Sequence, residues 1–133
     1  MKVSNFRFHN RPVLEWPIGE DDEFVVAAPL RVSFLLDGEP IRWTVPVGTK
    51  TDLASIPDLV PNFIVKRVAW HIPAAVVHDE LCLSRPWTSR VAADIFNEAM
   101  KAIVDVLPEK ERDDARRDRI LMWRAVVRLG PRW

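Results

Sequence analysis

Three dipeptides in the middle of this 133-residue chain carry residue types that move protons or hold metal ions: Thr51-Asp52, His78-Asp79 and Ala93-Asp94. A histidine near neutral pH can act as a general base when a carboxylate orients its ring and raises its basicity. On a helical wheel His78 falls at the centre of an apolar face made by Ala74, Ala75, Leu81 and Cys82, because residues three and four apart share a face. An imidazole aimed at a core needs a hydrogen-bond partner, so His78 demands an explanation. Asp79 lies on the flank of that face, within reach of a neighbouring loop. Asp52 and Asp94 are the carboxylates that could orient the ring. His78, Asp52 and Asp79 are therefore expected to form one hydrogen-bonded cluster between the loop and the helix.

Each of these residues also has a purely architectural explanation. A histidine on an apolar face is more often a satisfied core residue than a catalyst. Asp52 or Ser55 can cap a turn through local bonds. Asp94 shares its helical face with Arg90, Asn97, Glu98 and Lys101, a polar stripe on which it can pair with Arg90 four residues away. It joins His78 only if that stripe faces a polar cavity. No nucleophile elbow surrounds Ser55, which argues against a serine hydrolase. Cys82 stands one turn beyond His78 and packs inward with it rather than forming an open Cys–His dyad. His71 is two turns before His78, too far for the usual i,i+4 ligand pair. His9 has no evident partner. No HExxH, phosphate-cradling glycine loop or EF-hand occurs, and Arg117, Arg124 and Arg128 on the last helix read as a solvated face.

The elements that must position these residues fall into two halves. Between residues 24 and 36 the chain is rich in valine, leucine and phenylalanine, and Val32, Phe34 and Leu36 alternate with Arg31, Ser33 and Leu35. Asp37-Gly38 supplies a turn, after which Ile41, Trp43 and Val45 alternate with Arg42 and Thr44, so a hairpin is expected. Pro29 divides the preceding run into two strands. Phe6 and Phe8 mark a short leading strand, and Pro12, Pro17 and Gly19 an irregular connection. Residues 47–61 read as an ordered loop with a short helical turn. A first helix is expected over 73–83, opened by Pro73. A second is capped by Thr88 or Ser89, sets Val91, Ile95, Ala99 and Ile103 toward the core, and ends at Pro108. A third covers 109–129 with Asp113 and Arg117 as an i,i+4 pair, buries Met122, Trp123 and Val126, and stops at Gly130-Pro131. The fold class is α+β, a small antiparallel sheet packed with about three helices, in a single domain over 1–133.

Composition narrows the function classes. Apolar residues make up 48% of the chain, and 19 basic against 19 acidic residues give no net charge. That argues for a globular protein and gives no reason to expect nucleic-acid binding. One cysteine excludes an internal disulfide and suits a reducing compartment. The N-terminal residues lack the apolar stretch of a secretory signal, and no run approaches the roughly 18 to 20 apolar residues of a membrane span.

The strings Val45-Pro46-Val47-Gly48, Thr51-Asp52-Leu53-Ala54-Ser55-Ile56-Pro57, Ala74-Ala75-Val76-Val77-His78-Asp79-Glu80-Leu81 and Arg90-Val91-Ala92-Ala93-Asp94 through Met100 follow one another in order. Over residues 45–100 this resembles the phage and prophage family classed as domain of unknown function thirteen-fifty-three. The resemblance implies a phage- or prophage-encoded product, which is expected in the host cytoplasm or in the virion or its tail, with other phage or host proteins as partners. It implies no established activity and no resident cofactor.

A second similarity concerns mechanism. A histidine–aspartate pair on one helix and an alanine–aspartate on the next is similar to the secreted and viral phospholipases A2. That resemblance implies His78 as base, Asp79 as a calcium ligand and Asp94 as the residue orienting the histidine. The chain departs from it in having no glycine-rich calcium loop, no cystines and no tyrosine. Two functions are thus expected to compete. One is a structural or accessory module with a polar His–Asp network. The other is a small metal-assisted hydrolase of lipid or cell-envelope material, using His78 with Asp79 and Asp94 or Asp52.

Overall fold

The protein is described by a computed structural model over residues 1–15, 24–51 and 69–133. Strand β1 (Val3–Phe8) is followed by the short β2 (Leu14–Glu15) and β3 (Phe24–Val26). The long hairpin strands are β4 (Leu30–Leu36) and β5 (Glu39–Val45), and a two-residue β6 (Lys50–Thr51) comes next. A 3-10 turn (Ala69–His71) leads into α1 (Ile72–Ser84), α2 (Ser89–Val104) and α3 (Glu109–Leu129). Two antiparallel three-stranded sheets, ordered β1-β4-β5 and β2-β3-β6, precede three helices, so the fold is α+β.

The hairpin forms where the alternation demands it. Leu30, Val32, Phe34 and Leu36 are buried while Arg31 is exposed. Asp37 and Gly38 both have positive φ, 51° and 81°, which gives a two-residue turn the twist of the flanking strands. The Asp37 carboxylate also accepts the Lys2 N–H at 2.7 Å, tying the start of β1 to this turn. Asn5, with φ 52°, sits where the β1–β4 register shifts between Ser4 and Arg7. Pro29 stands between β3 and β4, as a residue that cannot donate to a ladder should. Lys50 and Thr51 differ from the expected loop: they pair with Val25 and Phe24 as β6. The rest of that segment, Asp52 included, lies outside the described residues.

Helix α1 starts with Pro73 in its first turn and ends at Arg85, which takes a left-handed conformation (φ 51°) and donates its N–H to the Leu81 carbonyl at 2.9 Å. Every residue from Ala74 to Leu81 is buried. The expected single apolar face is therefore incomplete as a description. The helix packs against α2, β5 and β6 and has no solvent side along this stretch, even though His78, Asp79 and Glu80 interrupt its apolar run.

Helix α2 is amphipathic, and it lays Val91, Ala92, Ile95, Phe96, Ala99, Met100 and Val104 on the core. Ile103 is only half-buried. A four-residue repeat drifts against the 3.6-residue turn, so after three repeats Met100 and Val104 hold the core position instead. Helix α3 contributes one narrow stripe, Ala115, Asp118, Met122 and Val126, against α2. Trp123 is half-buried rather than buried. The expected Asp113–Arg117 pair is replaced by i,i+3 pairs, Arg116 with Asp113 at 3.2 Å and Arg117 with Asp114. Both spacings share a helix face, and at these exposed positions either contributes little.

The α2 N-terminus is fixed by Thr88, whose hydroxyl oxygen accepts the Val91 N–H at 3.3 Å. Replacing Thr88 with Ala should cost about 1 kcal/mol and Thr88→Ser much less, measured as the shift in denaturant midpoint at unchanged slope.

Candidate functional site

Helix α1 carries His78, Asp79 and Glu80 in succession, at 2%, 6% and 7% exposure. Consecutive helical residues project about 100° apart. Three adjacent polar side chains on a helix buried all round must therefore find partners in three directions. His78 turns toward α2, where its ring lies 5.1 Å from that of Phe96. Asp79 turns toward β6 and accepts the Thr51 hydroxyl on Oδ2. Glu80 turns toward β5 and accepts the Trp43 indole N–H on Oε2 at 2.6 Å. One helix thus ties both sheets, because Trp43 belongs to the β1-β4-β5 sheet and Thr51 to the other.

The geometry separates residues whose spacing suggests convergence. Among the described residues His78 has no carboxylate partner. Cys82 Sγ lies 3.8 Å from both ring nitrogens, a weak sulfur contact. Among the described residues His78 and Asp79 of the expected three-residue cluster make no direct bond, because adjacent positions on a helix diverge. Asp52 lies outside the described residues. Asp94 sits on the far side of α2 from Phe96, two residues and about 200° away. It accepts Arg90 Nε and Trp123 Nε1, each at 3.2 Å, while the Arg90 guanidinium lies 5.4 Å from the centre of the Trp123 ring. Asp94 therefore joins α2 to α3 and stays on the polar stripe.

Burial also sets the protonation of the histidine. Removal from water pulls the His78 pKa down from 6.5 to about 4, so the ring is neutral at physiological pH. A neutral ring has a free lone pair, but a general base must also reach its substrate, and this one is walled in by Phe96 and Cys82.

The calcium-ligand role that the phospholipase resemblance implies falls on Asp79, a side chain that faces β6. One of its oxygens takes the Thr51 hydroxyl, and among the described residues no group of three or more His, Cys, Asp or Glu is placed to hold a metal ion.

Two partners escaped the sequence reading. Alternation puts Trp43 on the inward side of its strand, but nothing in the sequence ties it to Glu80. The usable signal was the lack of any polar side to α1 over 74–81, which leaves Glu80 no route to water. Arg119 and Asn97, joined at 2.6 Å across α3 and α2, carried no signal because both read as surface residues.

A family model described as "Protein of unknown function (DUF1353)" matches residues 26–126. The chain belongs to this family. The match takes in the hairpin, α1, α2 and most of α3, and so includes Trp43, Thr51, His78, Asp79, Glu80 and Asp94. Comparison with curated proteins and with solved structures finds no match. No helix among the described residues of this DUF1353 chain is long and apolar enough to cross a membrane.

Two measurements test the site. The unfolded histidine binds its proton near 6.5 and the folded one near 4. Between those values the unfolded chain holds more protons, so stability falls as pH drops, by about 1.4 kcal/mol per pH unit from this group. In denaturant melts between pH 7 and 4, wild type should therefore lose stability as pH falls through this window while His78→Leu loses that histidine-specific slope. In the second, Thr51→Val removes the hydroxyl that a buried carboxylate accepts and should cost about 1 to 3 kcal/mol, with Thr51→Ser close to wild type by the same melts.

Proposed function

We propose that this chain is a structural module of a phage or prophage particle, virion- or tail-associated, and not a hydrolase. The observation that supports this reading is the assignment of His78, Asp79 and Glu80 to three separate internal partners: the ring against Phe96, one carboxylate on Thr51 and the other on Trp43. A catalytic base, a metal ligand and an orienting carboxylate must converge on one reacting atom and leave it accessible. Here the three side chains diverge, and the third residue of the phospholipase-like set, Asp94, is held by Arg90 and Trp123. Side chains arranged in this way hold two sheets and three helices in register. The phage assignment itself follows the order of the TDLASIP, His-Asp and Ala-Asp motifs. Its partners are then other phage or host proteins, met in the host cytoplasm during particle assembly.

The test is made on particles. After induction of the lysogen that encodes the chain, virions banded on a density gradient should contain it at a fixed ratio to a tail protein, as read by quantitative mass spectrometry. Absence from banded particles would overturn the structural reading. Calcium-dependent release of fatty acid from phospholipid by the purified chain, lost in a folded Asp79→Asn variant, would establish the hydrolase in its place.

A further inference from the structure

The outer face of the β1-β4-β5 sheet collects cations that the balanced overall charge conceals. Arg7, Ser33 and Arg42 stand in one cross-strand row, with Arg7 opposite Ser33 and Ser33 opposite Arg42. Arg31 and Thr44 pair in the next row, and His9 extends it, its N–H donating to the Arg31 carbonyl at 2.9 Å. Arg7, His9, Arg31, Arg42 and Thr44 are exposed, while their strand neighbours Phe6, Val32 and Phe34 point into the core. An open cavity of about 440 Å³ lies on this face, lined by His9, Arg31, Ser33, Arg42 and Thr44 together with Val32 and Trp43. Within it His9 Nε2 lies 2.7 Å from Ser33 Oγ.

The charges act together. Strands sit roughly 4.8 Å apart and alternate residues roughly 6.6 Å apart, so the three guanidinium stems arise within about one Debye length at physiological salt. The ion pairs formed among the described residues join Arg90 to Asp94, Lys101 to Glu98, Arg116 to Asp113 and Arg117 to Asp114, and none involves this face. The mutual repulsion of Arg7, Arg31 and Arg42 is thus uncompensated by any described carboxylate. A ligand rich in negative charge relieves it.

We infer that this sheet face binds the phosphate backbone of duplex nucleic acid without reading its sequence. Guanidinium forks match phosphate oxygens, and the Ser33 and Thr44 hydroxyls add donors at the same level. No aromatic side chain stands on the outer positions of these strands (Ser4 and Arg7 on β1, with His9 just beyond it; Arg31, Ser33 and Leu35 on β4; Pro40, Arg42 and Thr44 on β5). Trp43 lines the cavity, but its indole N–H is committed to Glu80 on the inner side, so the outer positions offer no row of rings on which unpaired bases would stack, which disfavours a single strand. Leu35 and Pro40 are its only apolar residues there, too few for a membrane wedge or a desolvated protein hot spot. This inference is independent of whether the chain enters a particle.

Fluorescence anisotropy with a short labelled DNA duplex tests it. Three phosphate contacts give a salt slope near −2.7, so affinity of the wild-type chain should fall about 40-fold between roughly 50 and 200 mM salt. The Arg31→Ala/Arg42→Ala variant should bind more weakly and lose only about 3- to 4-fold over the same range, the slope for one remaining contact. Arg117→Ala, on the surface of α3, should bind as wild type. Thermal melts show that each variant folds, and Arg42→Glu serves as the second reporter if the double variant does not. Four results would overturn the inference: no salt-sensitive duplex binding by the wild type, an unchanged slope in the folded double variant, tighter binding to a single strand, or tighter binding to phosphatidylglycerol vesicles or polyglutamate than to duplex.

Discussion

The structure depends on a constraint at one helix: α1 is buried on every side, yet it carries three successive polar residues. A buried carboxylate or imidazole without a partner costs several times what a paired one contributes, so the surroundings must supply a partner in each direction. Thr51 supplies one from the small sheet, Trp43 another from the large sheet, and Phe96 packs on the third side from α2. The two sheets share no ladder, so besides the short links from β3 to β4 and from β5 to β6 these contacts tie them through α1. Shifting α1 by one residue would rotate all three groups by about 100° and leave each facing the wrong neighbour. The polar residues thus specify register in a helix whose apolar positions, dominated by alanine and valine, would tolerate several.

The same burial decides the chemistry available. His78 is neutral because the charged ring would lose its hydration, and its sides are occupied by an aromatic ring and a sulfur. Asp94, which looked like a companion in the sequence, meets the indole of Trp123 and the guanidinium of Arg90 at the α2–α3 seam. Trp123 stays half-buried for that reason: its ring packs inward while its N–H reaches the polar rim. Two polar sites therefore stand on opposite sides of α2, each joining a different pair of elements.

Charge follows a similar logic at the surface. The equal number of acids and bases describes the total, whereas a partner responds to the local field. Strand alternation sends Phe6, Val32 and Phe34 inward and leaves their neighbours Arg7, Arg31 and Arg42 on one outer surface. That polarity is a consequence of period two in three strands combined with a register that aligns them, and it disappears in any average over the chain.

Period and punctuation determine the hairpin and the three helices, but not the two-residue strands β2 and β6, which are too short to show a period. Alternation around Asp37-Gly38 marks the hairpin, Pro73, Thr88 and Pro108 mark helix starts and stops, and the α+β class follows from strands preceding helices. These are local signals, readable because a side chain's direction depends on its neighbours three or four residues away. The DUF1353 membership was legible too, since ordered motifs are a property of the string. What the tertiary structure alone decided is which polar residues meet. Thr51 and Asp79 are 28 residues apart, Trp43 and Glu80 37, and Asp94 and Trp123 29. No periodicity reaches across such distances. The adjacency of His78 and Asp79 suggested a shared site, but neighbours along a helix point apart, and groups distant in sequence come together because burial leaves each of them only one place to find a partner.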